Sequence, residues 1–260
     1  MEPDIVCVTE TFLDASVGDV SLSGYDLISR RDRDDGRVCG GIAVFALKSI
    51  SQNVIHIESC TDSERSWHIV HGQQCSFLLG LWYRPPEPGE IATIRSFDAD
   101  LSRLAESCAF TVVVGDFNVH QKNWLRHSER NSQEGRELQD VASMHGLVQS
   151  VKEPTRENVL LDLVLSDCEN LSSSVIPGFS DHKGTKSVIK FEVPEEEFIE
   201  RECFNYTKTD WSKLQTDLSS VDWQQLLSGM SIDDAVDIFT RELLRYVRTH
   251  TPSRRVSTRK

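Results

Sequence analysis

The chain has 260 residues and a formal net charge of −13, with 38% hydrophobic and 27% charged residues. That composition supplies a core for one sizeable domain plus an appendage and argues against disorder along the whole length. No apolar run approaches the roughly 18 residues of a membrane span. The start, Met-Glu-Pro-Asp, lacks the basic and apolar regions of a secretory signal, so the expectation is a soluble, intracellular protein with no membrane partner.

In chain order, residues 3–9 (PDIVCVT) read as a buried strand ending on Glu10. Arg30-Arg31-x-Arg33 falls in a presumptive loop between strands, beside Asp32, Asp34 and Asp35; it reads either as DNA-phosphate contacts or as a solvated loop. Residues 38–47 open on a glycine pair and continue as a strand, followed by strands at 66–71 and 76–82. Tyr83-Arg84-Pro85-Pro86 stops the last of these, because proline cannot extend a sheet ladder. Residues 91–106 carry apolar side chains at 91, 94, 97, 101, 104 and 105, which is helical spacing. The apolar strand 110–114 runs into Gly115-Asp116-Phe117-Asn118. A second helix over 135–145 puts Leu138, Val141, Ala142 and His145 on one face, with His145 a core histidine. Strands at 159–165, containing Asp162, and at 187–193 complete a layered α/β or α+β sandwich assigned to residues 1–193.

After Pro194 the pattern changes. Glu195-Glu196-Glu197 reads as a linker, and 211–218, 221–227 and 232–247 read as helices. The last has Asp233 and Asp234 in its first turn and Arg241, Arg245 and Arg248 toward its end, which suits the helix dipole. Residues 251–260 read as a disordered basic tail, so 194–260 form a helical connector with that tail. Residues 241–260 hold seven Lys/Arg against one acid, whereas residues 1–240 hold 21 bases against 40 acids. So acidic a body is a poor general binder of nucleic acid and a reasonable host for a divalent cation. The seven cysteines have no C-x-x-C spacing and read as buried, reduced thiols, and Trp67 and Trp82 as sheet packing.

Chemistry-bearing residues recur at strand ends, where sheet active sites form: Glu10 after the first strand, Asp116 and Asn118 after the central one, Asp162 in a later one, and Asp181-His182 before the last. Carboxylates gathered at such an edge bind a hard cation, and a histidine beside an aspartate supplies a general base or a donor to a phosphate oxygen. Singly each fits a turn or cap; together they describe metal-assisted phosphoester hydrolysis.

Glu10 in VTET, GDFN at 115–118, LDLVL at 161–165 and SDH at 180–182, in that order, resemble the endonuclease/exonuclease/phosphatase (DNase-I-like) superfamily. Tyr83-Arg84-Pro85-Pro86, His120 and Trp124, His145-Gly146-Leu147 and Pro154-Thr155-Arg156 resemble more narrowly the endonuclease domain of non-LTR (LINE- or jockey-type) retrotransposons. The run from Phe204 to Trp211 and His250-Thr251-Pro252 are similar to the connector of those elements. The resemblance implies a four-layered α/β sandwich with a C-terminal helical extension and a DNA-nicking endonuclease that uses Mg²⁺, or Mn²⁺ in its place. Its partners would be DNA and a reverse transcriptase encoded downstream, and its location the nucleus. It implies Glu10 as main metal ligand, Asp116 orienting or deprotonating water, Asn118 and Tyr83 on the scissile phosphate, and Asp181 as a metal ligand paired with His182. The His182 imidazole would stabilise the transition state, with Asp162 and Thr155 as support. The family carries an asparagine-bearing strand upstream of the first strand here and a proline two residues after the SDH histidine, where this chain has Gly184. An N-terminally truncated domain is therefore expected, with an inactive remnant and a phosphatase of the same superfamily as rival readings.

Overall fold

The computed structural model describes residues 2–33, 40–60, 62–128, 130–178, 180–192 and 198–259. The chain forms two units, Met1–Glu195 and Glu196–Lys260. The first contains β1 (Ile5–Thr9), β2 (Tyr25–Arg31), β3 (Ile42–Leu47), β4 (Val54–Ser59), β5 (Glu64–His71), β6 (Ser76–Tyr83), α1 (Ala92–Leu104), β7 (Phe110–Asp116), α2 (Gln133–Met144), β8 (Val148–Gln149), β9 (Asp162–Ser166), β10 (Ser172–Ile176) and β11 (Gly184–Val188). Six strands form one sheet in the order β4-β5-β6-β7-β9-β8, and a second layer holds the sheets β1-β3-β2 and β10-β11. Only β6 and β7 run parallel within the large sheet, because α1 supplies the crossover that a parallel pair needs.

Alternation along the strands decides what each face meets. On β5, Arg65 and Trp67 point to the helical side, where both bond Asp100 of α1 and where Trp67 and Trp82 pack on Phe97 at 5.9 and 4.9 Å. Both tryptophans are fully buried, so neither is available to stack on a base. The alternate residues of β5 and β6 face the second layer: His68 meets Ser29 of β2, and Leu81 and Tyr83 pack with Ile42 and Val44 of β3. The α2 helix starts where Ser132 accepts the Gly135 N–H at 3.0 Å, a side-chain N-cap. The architecture is thus the expected α/β sandwich, with α1 and α2 on the outer face of the six-stranded sheet and the small sheets on its inner face.

Several local expectations change. Arg30 and Arg31 lie on β2 and not in a loop, and Arg30 is committed to Asp32 and to the carbonyls of Asp14 and Val17. Asp34, Asp35 and Cys39 lie outside the described residues. The strand expected at 187–193 is displaced to Gly184–Val188, while Ile189 and Phe191 pack on the core without a ladder partner among the described residues. Cys7, Cys60, Cys108 and Cys168 are half-buried and Cys75 and Cys203 exposed, so the buried positions have gone to larger apolar side chains. His145 is half-buried and holds Asp98 at 2.7 Å.

In the second unit, α3 (Trp211–Ser220), α4 (Trp223–Leu227) and α5 (Ile232–His250) start on Asp210, Asp222 and Ser231, each accepting a backbone N–H of its own first turn. The tail is not disordered: β13 (Ser253–Arg259) pairs antiparallel with β12 (Phe198–Phe204). An isolated strand of that composition has nothing to pair with, and the ladder partner comes from residues that the sequence places beside a linker.

His68 is fully buried with Nε2 2.7 Å from Ser29 Oγ. Burial, with His56 beside it, pushes its pKa from 6.5 down to about 4. The unfolded chain binds this proton near pH 6.5 and the folded chain does not, so stability is complete above that pH and is lost as pH falls toward 4. The expected loss is about 3 kcal/mol. Urea unfolding of parent and His68→Gln at pH 7 and 4.5 checks it: the variant should show a flatter pH dependence, and equal slopes would contradict the assignment.

Candidate active site

Strand register builds the centre of the site. Tyr83 stands opposite Asp116, and Asp116 opposite Asp162, so three adjacent strands present these side chains in one row on the inner face. Gly115 permits the approach: it sits at φ +144°, and a Cβ there would fall on the Trp82 carbonyl oxygen. Past β7 the chain turns through Asn118 at φ +48°, a left-handed conformation that asparagine tolerates better than most residues. That turn aims the Asn118 side chain back, where Nδ2 donates to Asp116 Oδ2 at 2.8 Å and to the Arg84 carbonyl at 3.0 Å.

Thr155 fixes the other end. It is fully buried, and its Oγ1 accepts the N–H groups of Leu161 and Asp162 at 3.1 and 3.0 Å. Its carbonyl accepts the Lys183 N–H at 2.7 Å, and Arg156 forms a β-bridge with His182, so the SDH loop hangs from the same turn. The His182 Nδ1 lies 2.8 Å from Asp162 Oδ2. Asp181 is not its partner: exposed at the surface, it pairs with Arg156 at 2.7 Å, because consecutive residues on an extended loop point opposite ways. Arg156, part of the PTR motif, thus has an ion-pairing role that its sequence context did not reveal. Glu10 follows β1 at φ +53°, and its Oε1 accepts from the Tyr83 hydroxyl at 2.5 Å.

The electrostatics follow from that crowding. Burial and the adjacent Asp162 carboxylate, with Glu10 adding, push Asp116 up to about 7; His182 and Asn118 work in the opposite direction. The hydrogen bond to Asp162 and the charge of Asp162 raise the His182 pKa, favouring imidazolium. Burial and the bond to Glu10 hold Tyr83 firmly protonated, so it is a donor. Donor atoms of Asp116, Asp162 and His182 lie within 4.8 Å of one another, and among the described residues they are the one such group of three. A buried site rich in carboxylate oxygen, with one imidazole and no thiolate, fits a hard divalent cation.

Residues 77–186 match the family model described as Endonuclease-reverse transcriptase, a span that contains Tyr83, Asp116, Asp162 and His182. The first unit has the fold of solved DNase-I-like structures, among them an endonuclease/exonuclease/phosphatase family protein from Leptotrichia buccalis. Among solved structures of this fold, the endonuclease domain of TRAS1, a telomere-specific non-LTR retrotransposon, matches with a TM-score of 0.56 at 14% identity, over 72% of this chain and 86% of that one. The 3′ phosphatase NExo from Neisseria matches with a TM-score of 0.53 at 14% identity, over 72% and 89% of the two chains. The APE2 catalytic domain of Xenopus laevis gives 0.50 at 16% identity, over 73% and 84%. At such identities the likeness is one of fold. No curated protein matches the chain. Within this fold, Glu10–Tyr83, Asp116–Asn118 and Thr155–Asp162–His182 are three hydrogen-bonded groups that strand register sets side by side, and Asp181 pairs outside all of them with Arg156.

Thr155→Val keeps the shape of the side chain and removes the acceptor of two buried N–H groups. The expected cost is about 2 kcal/mol. Chemical denaturation measures it, and Thr155→Ser, which restores the oxygen, should recover most of the loss.

Proposed function

We propose that the first unit is a divalent-cation-dependent DNA endonuclease that nicks one strand. The observation that carries this reading is the row Tyr83–Asp116–Asp162 capped by the His182–Asp162 pair, which joins a base poised near neutral pH to a cationic donor. The match to an endonuclease-reverse transcriptase family and the likeness to a retrotransposon endonuclease support DNA as substrate and a non-LTR element as origin. In such an element the nick would prime a reverse transcriptase encoded downstream, in the nucleus.

Glu10 and the carboxylates of the row would hold Mg²⁺, or Mn²⁺ in its place, which when bound neutralises phosphate charge and favours attack at phosphorus. The chain's own groups do the rest. Asp116, held in one rotamer by Asn118, takes a proton from the attacking water. The new bond joins that oxygen to phosphorus, the bond from phosphorus to O3′ breaks, and the 3′ oxygen leaves as a hydroxyl with a proton from solvent. His182, its Nδ1 fixed on Asp162, offers Nε2–H to a phosphoryl oxygen as negative charge builds. Tyr83 donates to one Glu10 oxygen and leaves the other for a cation. Lys183, on the loop that carries His182, supplies positive charge there, while the charge of Arg156 is balanced by Asp181.

Supercoiled plasmid with purified protein, in Mg²⁺ and in EDTA, tests the reading beside Asp116→Asn. Metal-dependent open circles are expected, with the rate lowered about 10²–10⁴-fold in the variant. Closed circles left intact while 3′-phosphate ends are hydrolysed would favour the phosphatase reading; folded protein without either activity would favour the inactive one. The base must be ionised to act, so the parent rate should rise about tenfold per pH unit below the Asp116 pKa and flatten above it. More Mg²⁺ should move that limb to lower pH, since metal binding releases the proton.

A further inference from the structure

The cross-strand row has a fourth member. Glu64 on β5 stands opposite Tyr83 on β6, on the same inner face, and is buried. One of its oxygens, Oε1, accepts from Arg33 Nε at 2.5 Å in an ion pair whose two side chains are both buried. The other, Oε2, accepts the backbone N–H of Gly41. Buried ionised groups with every oxygen used are expected to hold something in place, because removing one partner strands the other without water.

Two routes lead from Glu64 to Glu10. Through the backbone, Gly41 and Gly40, at φ +89° and +109°, offer their carbonyls to the N–H groups of Thr11 and Phe12 at 3.2 and 2.9 Å. Those are the residues just past Glu10, which with Phe12 occupies the left-handed region at φ +53°. Such a conformation at glutamate and phenylalanine persists only where the surroundings over-determine it. Through side chains, the Arg33 guanidinium lies 5.6 Å from the centroid of the Tyr83 ring, and the Tyr83 hydroxyl donates to Glu10. The backbone just past Glu10 and, through Tyr83, its carboxylate are therefore both linked to one buried ion pair at the far end of the row.

We infer that Glu64 and Arg33 are positioning residues that set Glu10 for cation binding without touching cation or substrate; this rests on Glu10 being the cation ligand proposed above. Supporting residues behind a metal ligand typically change affinity or activity by about 10–100-fold when altered. The test is Mn²⁺ binding to the DNA-free full chain, followed by electron paramagnetic resonance, with unfolding midpoints measured in parallel. Glu64→Gln retains an acceptor for Gly41 and loses the charge on Arg33; Arg33→Lys retains the charge and loses the fork over Tyr83. Each should weaken Mn²⁺ binding about tenfold or more. Each should also raise the metal concentration for half-maximal nicking by the same factor, with KM for DNA unchanged. Unchanged Mn²⁺ affinity in a folded variant overturns the proposal, and so does loss of folding in both, which would make the pair a structural pillar. Glu10→Gln separates the two layers of argument. If it abolishes Mn²⁺ binding while Glu64→Gln and Arg33→Lys do not alter it, the positioning proposal alone fails. If Glu10→Gln leaves binding unchanged, the ligand assignment fails and carries the proposal with it.

Discussion

Placing acidic side chains side by side across a sheet is the constraint on which the rest of the first unit depends. Directly opposed residues on neighbouring strands lie about 5 Å apart, and like charges at that separation destabilise a sheet. Asp116 and Asp162 are opposed in this way, away from most water. Their neighbours are arranged against that repulsion: a raised pKa on Asp116, the imidazole of His182 on Asp162, and the Asn118 amide on Asp116. Gly115 and Thr155 serve the same end from beneath, one by letting two strands close up and the other by pinning the Asp162 backbone.

Under the proposed reading, this arrangement would let an acidic body and a phosphate substrate coexist. Residues 1–240 carry 40 acids against 21 bases, so long-range attraction to a polyanion is weak. Binding then has to be local, through groups that turn positive or attract a cation within the row itself. Under the proposed reading, selectivity would come from the fit and deformability of the substrate and not from charge.

Tyr83, Asp116 and Asp162 are legible in the sequence, whereas Glu64 and the register that sets the four side by side are not. GDFN after an apolar strand, and SDH before a short one, named Asp116, Asn118 and His182 from pattern alone. Which carboxylate meets His182 depends on strand register, which no local pattern encodes, so His182 pairs with Asp162 and not with its sequence neighbour Asp181. Strand β2 is hidden in the sequence because YDLISRR mixes charge into both faces, its Arg30 being satisfied by loop carbonyls. Strand β5 starts two residues before Ser66, because Glu64 and Arg65, loop-like by type, find buried partners. Strand β13 leaves no local signal because its partner lies some fifty residues earlier, next to a charged linker.

The wide spacing of the row along the chain also has a kinetic side. Its members come from positions 64, 83, 116 and 162, with Glu10 and His182 attached at its sides, and no two neighbours in space are neighbours in sequence. Pairings of such high contact order close slowly and late. A nascent or partly unfolded chain therefore contains no fragment of the constellation able to work alone, and any activity would switch on cooperatively with completion of the sheet.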